Sequence, residues 1–123
     1  MNFSQSNIWL PVLLFILTLA FGIWLSRSGR PLNILVFTIH KLIALGGVIF
    51  AGLAVYNWLK QVEPQGVVIA MIAILGASII ALFISGAFLS RDKPVNKALL
   101  IMHGIMPVLA ALSAIYLIYL MGM

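Results

Sequence analysis

The chain contains two histidines, and they occupy matching places in a segment that occurs twice. Residues 22–40 read GIWLSRSGRPLNILVFTIH, and residues 86–103 read GAFLSRDKPVNKALLIMH. When one residue is omitted from the first turn, Gly22 aligns with Gly86 and His40 aligns with His103. Imidazole nitrogens are common metal ligands in proteins. The repeat therefore points to a site with two equivalent ligands, and the elements that carry them must position both.

The composition is typical of a membrane protein. Hydrophobic residues make up 64% of the 123-residue chain and charged residues 7%, and the mean hydropathy is +1.23. Soluble domains carry about 25% charged residues, so this chain has too little polar surface for a water-soluble fold. The net charge of +5 comes from basic residues that mostly lie at the ends of apolar runs, which argues against nucleic-acid binding. Cysteine is absent, which excludes disulfides, thiolate metal sites and iron–sulfur clusters.

Four apolar segments are separated by short polar turns, and each is close to or above the roughly 20 residues that cross a bilayer as a helix. The predicted spans run from about 8 to 25, 32 to 59, 66 to 89 and 95 to 121. The N-terminal MNFSQSNIWL lacks the basic start of a cleaved signal peptide, so we expect the first span to be retained. Short turns make neighbouring helices antiparallel. The predicted fold class is an all-α membrane protein: an up-down four-helix transmembrane bundle forming a single domain over residues 1–123, built from two parallel two-helix repeats of about 8–60 and 66–121.

The charges in the turns predict the orientation of the spans. The second turn pairs Lys60 with Glu63, whereas the first and third turns are strongly basic, with Arg27, Arg30, Arg91 and Lys93. Basic loops stay in the cytoplasm, so we expect both termini outside. A proline in each basic turn, Pro31 and Pro94, suits the start of the following helix, where a missing N–H costs nothing.

Both histidines are predicted to lie inside the hydrocarbon, just short of its midplane. Each is nine residues beyond its proline, which places it about 13 Å along its helix. Polar groups at this depth are costly and usually mark a functional site. His40 and His103 would face one axis from parallel helices, so the symmetry predicts an object with two equivalent faces. A haem held at both axial positions by imidazoles fits that description.

Small residues surround the predicted level of the histidines. Gly22 and Gly86 lie about as far before their turns as the histidines lie after them. Gly47 and Ala110 follow the histidines two turns later on the same helix face. We expect these four positions to make room for a wide, flat porphyrin. The competing explanation is that the glycines serve close helix packing alone.

With His40 and His103 on the second and fourth helices and glycines facing them, the chain resembles the small b-type cytochromes of bacterial membranes, four-helix proteins that carry bis-histidine haem b. The resemblance implies an electron-transfer protein of the bacterial inner (cytoplasmic) membrane. It also implies electron exchange with a quinone or a redox partner protein near the cytoplasmic side. Di-haem members place histidines near both membrane surfaces. This chain has none on the outer side, so at most one haem is expected.

The surroundings of the histidines can also be predicted. A ligating histidine usually donates its other N–H to a fixed acceptor. We expect that acceptor to be the backbone carbonyl one turn back, Val36 for His40 and Leu99 for His103, with Ser85 as a further polar contact.

Other polar residues near the turns are candidates for contacts with the cofactor. Haem propionates on the near side would meet Arg27, Arg91, Asn33 and Asn96. Lys41 has Gly104 as its repeat partner and lies at a depth that is costly for an ammonium group. It is expected to snorkel, to pair with a propionate or to line a quinone pocket.

Three other functions compete with haem binding. Small four-span exporters usually use a carboxylate inside the membrane, but both acids, Glu63 and Asp92, lie in turns. Two imidazoles are an incomplete ligand set for zinc or copper. A cofactor-free anchor or assembly subunit could use its histidines for interhelical hydrogen bonds, each worth about 0.6 kcal/mol. The sequence leaves open whether the protein is an enzyme.

Overall fold

The computed structural model describes residues 3–28, 33–90 and 96–120. These residues form the helices α1 (Phe3–Ser28), α2 (Ile34–Leu59), α3 (Gly66–Leu89) and α4 (Lys97–Leu120), and no strand occurs among them. The prediction of an all-α chain with four long helices is confirmed. The bounds of α3 are those predicted, and α1 begins earlier than its apolar run because helical hydrogen bonds continue into the polar N-terminal residues. The predictions made for Arg30, Pro31, Arg91, Lys93 and Pro94 lie outside the described residues.

All four helices are long and apolar enough to cross a membrane. The candidate spans Ile8–Ser28, Ile34–Leu59, Gly66–Leu89 and Lys97–Leu120 have mean hydropathies of 2.4, 2.1, 3.0 and 2.1. Large apolar side chains are exposed along every helix, with Ile34 at 81% and Tyr119 at 71%. Such extensive apolar exposure is rare on soluble proteins. The helices therefore indicate a multi-pass membrane protein whose surface is covered by a lipid bilayer.

The chain divides into two compact units, Met1–Glu63 and Pro64–Met123. Each unit is one helical hairpin, α1 with α2 or α3 with α4. In the first hairpin, Gly22 faces His40 and Gly47 faces Leu14, so later residues of α1 meet earlier residues of α2, as in an antiparallel pair. The units coincide with the two predicted repeats. The single domain over residues 1–123 stays a prediction.

An asparagine precedes the second helix of each hairpin. Asn33 Oδ1 accepts hydrogen bonds from the backbone N–H groups of Leu35 at 3.0 Å and Val36 at 3.2 Å. Asn96 Oδ1 accepts from the N–H of Ala98 at 2.9 Å. Helix starts leave such N–H groups without partners, and asparagine is a favoured N-terminal cap. Capping alone therefore explains why asparagine recurs in the repeat, with no need of a haem propionate.

Candidate functional site

The ring of His40, the seventh residue of α2, lies against α1. A Cβ atom added to Gly22 would be 3.1 Å from Cε1 of His40, 3.6 Å from Nδ1 and 3.9 Å from Nε2. Carbon atoms pack best at about 3.5–4.0 Å, so the ring takes up the space of a side chain at position 22. The missing side chain of Gly22 is what allows the imidazole to approach the backbone of α1.

The same ring is hydrogen-bonded to the backbone of α1. Nδ1 of His40 lies 3.0 Å from the carbonyl oxygen of Thr18, one helical turn before Gly22. A carbonyl oxygen can only accept, so Nδ1 must carry the hydrogen. In the neutral imidazole the lone pair is then on Nε2. The first hairpin thus presents a histidine in the form that ligates a metal through Nε2.

The second hairpin repeats this arrangement with one additional group. A Cβ atom on Gly86 would be 3.2 Å from Cε1 of His103, the seventh residue of α4. Nδ1 of His103 lies 2.7 Å from Oγ of Ser85, and the same hydroxyl lies 3.2 Å from the carbonyl oxygen of Leu82. When Ser85 donates to that carbonyl, it accepts from Nδ1–H. The ring then also has its lone pair on Nε2.

The two hairpins use the same backbone position as the final acceptor. Thr18 precedes Gly22 by four residues, and Leu82 precedes Gly86 by four residues. The histidine of the first hairpin reaches this carbonyl directly, whereas His103 reaches it through the hydroxyl of Ser85. The repeat seen in the sequence is therefore also a repeat of geometry: a histidine on a glycine, with Nδ1 directed to the turn before it.

The predicted acceptor of His40 is wrong, because Nδ1 of His40 bonds to the carbonyl of Thr18 on α1 and not to that of Val36. Nδ1 of His103 bonds to Ser85 on α3, and the carbonyl of Leu99 stays a prediction. Glycine is the reason, because it lets the ring come close enough to the neighbouring helix to reach a backbone carbonyl there. The expected contact between Ser85 and the histidine is confirmed.

The four small residues predicted to make room for a porphyrin have different neighbours in the structure. Gly22 and Gly86 were expected to face a porphyrin, and each faces the histidine ring of its own hairpin. A Cβ atom on Gly47 would be 3.4 Å from Cβ of Leu14, which is close helix packing, the competing explanation. Ala110 is buried at 2% exposure, and its carbonyl oxygen accepts from Ser113 at 3.1 Å. A role of these residues beside a cofactor stays a prediction.

Lys41 is exposed on α2 and folds back towards the start of its helix. Its Nζ lies 4.6 Å from the ring centroid of Phe37, one turn earlier. This is the direction expected of snorkelling, in which the ammonium group leaves the hydrocarbon along its own helix. The aromatic ring adds a cation–π contact.

Thr18 is the residue that sequence reasoning missed, because it contributes a backbone carbonyl and any side chain could stand at its position. A signal was nevertheless present. A glycine expected to face a histidine makes the carbonyl one turn earlier a candidate acceptor, since that oxygen lies on the same face of the helix.

Within the described ranges, no three or more histidine, cysteine, aspartate or glutamate side chains are grouped to hold a metal ion. Comparisons with protein-family models, with curated proteins and with solved structures return no match. The functional argument therefore depends on the geometry of the two histidines.

Proposed function

We propose that this chain is a membrane electron-transfer protein in which His40 and His103 would hold one haem b through their Nε2 atoms. The observation that carries the proposal is the repeated arrangement of ring, glycine and hydrogen bond. In each hairpin a histidine ring lies on a glycine of the preceding helix, with Nδ1 hydrogen-bonded to that helix. Metal-ligating histidines usually have such a partner on the other ring nitrogen, which orients the ring and raises its basicity.

Each residue of the site has a role in this proposal. Haem supplies one-electron redox chemistry when bound. The carbonyl of Thr18 and the hydroxyl of Ser85 hold the two rings in orientation, and the glycines admit those rings. The apolar helices exclude water, and burial together with the Nδ1 hydrogen bonds tunes the reduction potential.

The surroundings of the protein are part of the proposal. We place the chain in a bacterial inner (cytoplasmic) membrane, with the basic first and third turns in the cytoplasm and both termini outside. The support is the distribution of Lys and Arg in the sequence and the resemblance to small b-type cytochromes. Electrons would be exchanged with a quinone or a redox partner protein.

An absorption spectrum tests the proposal. Protein purified in detergent from cells supplied with haem should show a sharp Soret band and, after reduction, resolved α and β bands of six-coordinate haem. His40→Ala and His103→Ala should each abolish the six-coordinate spectrum. Thr38→Ala, two residues before His40 and exposed on α2, should leave it unchanged. A folded, colourless protein that cannot be reconstituted with haem would refute the proposal.

A second candidate function has its own support. Each histidine joins the two helices of its hairpin through Nδ1, as expected of a cofactor-free membrane anchor or assembly subunit. Such bonds average about 0.6 kcal/mol in membranes, which is a modest reason to place imidazoles in hydrocarbon. This function predicts that His40→Gln, which keeps a hydrogen-bond donor, behaves like the wild type. Haem ligation predicts that the same variant loses six-coordinate haem.

A further inference from the structure

The two histidines are held by different kinds of group. Nδ1 of His40 is 3.0 Å from a backbone carbonyl, whereas Nδ1 of His103 is 2.7 Å from a serine hydroxyl. The difference comes from one position in the repeat, the residue before the glycine, which is Phe21 in the first hairpin and Ser85 in the second. Ser85 is completely buried, at 0% exposure.

The two hydrogen-bond partners differ in which nitrogen of the histidine ring they allow to carry the hydrogen. A backbone carbonyl cannot rotate or donate, so Thr18 permits His40 one form, with the hydrogen on Nδ1. A hydroxyl can turn and can either donate or accept. With its hydrogen towards Leu82, Ser85 accepts from Nδ1–H of His103. With its hydrogen towards the ring, it donates to Nδ1, and Nε2 then carries the hydrogen and cannot ligate a metal.

We propose that Ser85 is a positioning residue that holds His103 less firmly than the carbonyl of Thr18 holds His40. His103 would then be the more readily exchanged of the two haem ligands, and loss of Ser85 would loosen it further. The ligand half of this inference, the ranking of His103 and His40 as ligands, rests on the proposed function. The positioning half, the role of Ser85 beside His103, concerns only the protein's own residues and can be measured in haem-free protein. The chain also offers a matched control, because Ser78 is a serine of the same helix, buried at 2% exposure, whose hydroxyl donates to its own helix at Ile74 (2.8 Å).

The first experiment measures the ring nitrogens in haem-free protein. Selective ¹⁵N labelling of histidine gives signals from two residues, which a His40→Gln variant assigns. Wild-type His40 and His103 should both show hydrogen on Nδ1. Ser85→Ala should shift the nitrogen signals of His103 and leave those of His40 in place, Ser85→Thr should restore them, and Ser78→Ala should change neither. Identical His103 signals in wild type and folded Ser85→Ala would overturn the positioning role.

The second experiment measures ligand exchange in haem-loaded protein, with carbon monoxide as the probe of the reduced form. Loss of a hydrogen-bond partner of a metal-ligating histidine typically costs about 10–100-fold in metal affinity. Carbon monoxide binding should therefore be at least about tenfold faster in Ser85→Ala than in wild type, and Ser78→Ala should match wild type. The diamagnetic carbon monoxide complex should show free-imidazole nitrogen signals for His103.

The outcomes of this second experiment separate the inference from the proposed function. Release of His40, or equal rates in wild type and Ser85→Ala, would overturn the assignment of His103 as the more readily exchanged ligand while haem binding itself stands. A protein that takes up no haem would refute the proposed function and, with it, the ligand half of the inference. The nitrogen spectra of haem-free protein would still decide whether Ser85 positions His103.

Discussion

Replacement of Gly22 by alanine should displace the ring of His40. The added Cβ would lie 3.1 Å from Cε1 of His40, and comfortable carbon contacts are about 3.5–4.0 Å. The ring must therefore retreat by a few tenths of an ångström. A retreat away from α1 would stretch the 3.0 Å bond between Nδ1 and the carbonyl of Thr18 beyond the normal limit of about 3.2 Å.

We expect Gly22→Ala to lose little free energy of unfolding but to disrupt the hydrogen bond of the His40 ring. Interhelical hydrogen bonds in membranes average about 0.6 kcal/mol and reach about 1.7 kcal/mol. Alanine also favours a helix over glycine by up to about 1 kcal/mol, which offsets part of this loss. A control with the same propensity gain is needed, and Gly52 of α2 provides it, because a Cβ atom there would meet nothing within 4 Å.

The assay is unfolding of haem-free protein in mixed micelles by a denaturing detergent, together with the histidine nitrogen spectrum. We expect the free energy of unfolding of Gly22→Ala to fall below that of Gly52→Ala by about 0.6–1.7 kcal/mol. The His40 signals should lose the pattern of a hydrogen-bonded Nδ1–H in Gly22→Ala alone. Equal stabilities and unchanged His40 signals in the two variants would refute the claim that Gly22 seats the ring. In haem-loaded protein, we expect Gly22→Ala to retain less haem than Gly52→Ala.

Three further predictions concern a second glycine, a helix cap and the lysine of α2. Gly86→Ala, with Cβ 3.2 Å from Cε1 of His103, should destabilise the second hairpin relative to Gly76→Ala, where Cβ would meet nothing within 4 Å; equal unfolding free energies would contradict this. Asn33→Ala removes a cap that accepts two backbone hydrogen bonds and should cost about 1 kcal/mol of stability without moving the histidine nitrogen signals. Lys41→Met should raise stability in lipid bicelles, because an ammonium group within a membrane helix is costly and its contact with Phe37 returns only about 0.5–1 kcal/mol. A loss of stability in Lys41→Met would show that the ammonium group has a stronger partner.

Helix number, helix type and the matching positions of the two histidines in the repeat could be predicted from the sequence because they depend on local properties. An apolar run of this length must satisfy its backbone hydrogen bonds internally in lipid, so four runs predict four helices wherever they pack. The alignment of Gly22 with Gly86 and of His40 with His103 needs only the order of residues. Helix ends do not follow the apolar runs alone, since α1 begins at Phe3, within a polar stretch, and asparagines cap the starts of α2 and α4.

The partners of the histidines depended on tertiary structure. Every turn of a helix offers a carbonyl oxygen, so the sequence alone favoured the nearest ones, at Val36 and Leu99. Which carbonyl a ring reaches is set by the distance and rotation between two helices, and these follow from how closely a glycine lets a ring approach. That geometry directs His40 to the backbone of α1 and His103 to Ser85. The sequence by itself determined that two histidines recur at matching positions of two repeats in a multi-pass membrane protein, and the packing within each hairpin decided that one is held by a rigid carbonyl and the other by a rotatable hydroxyl.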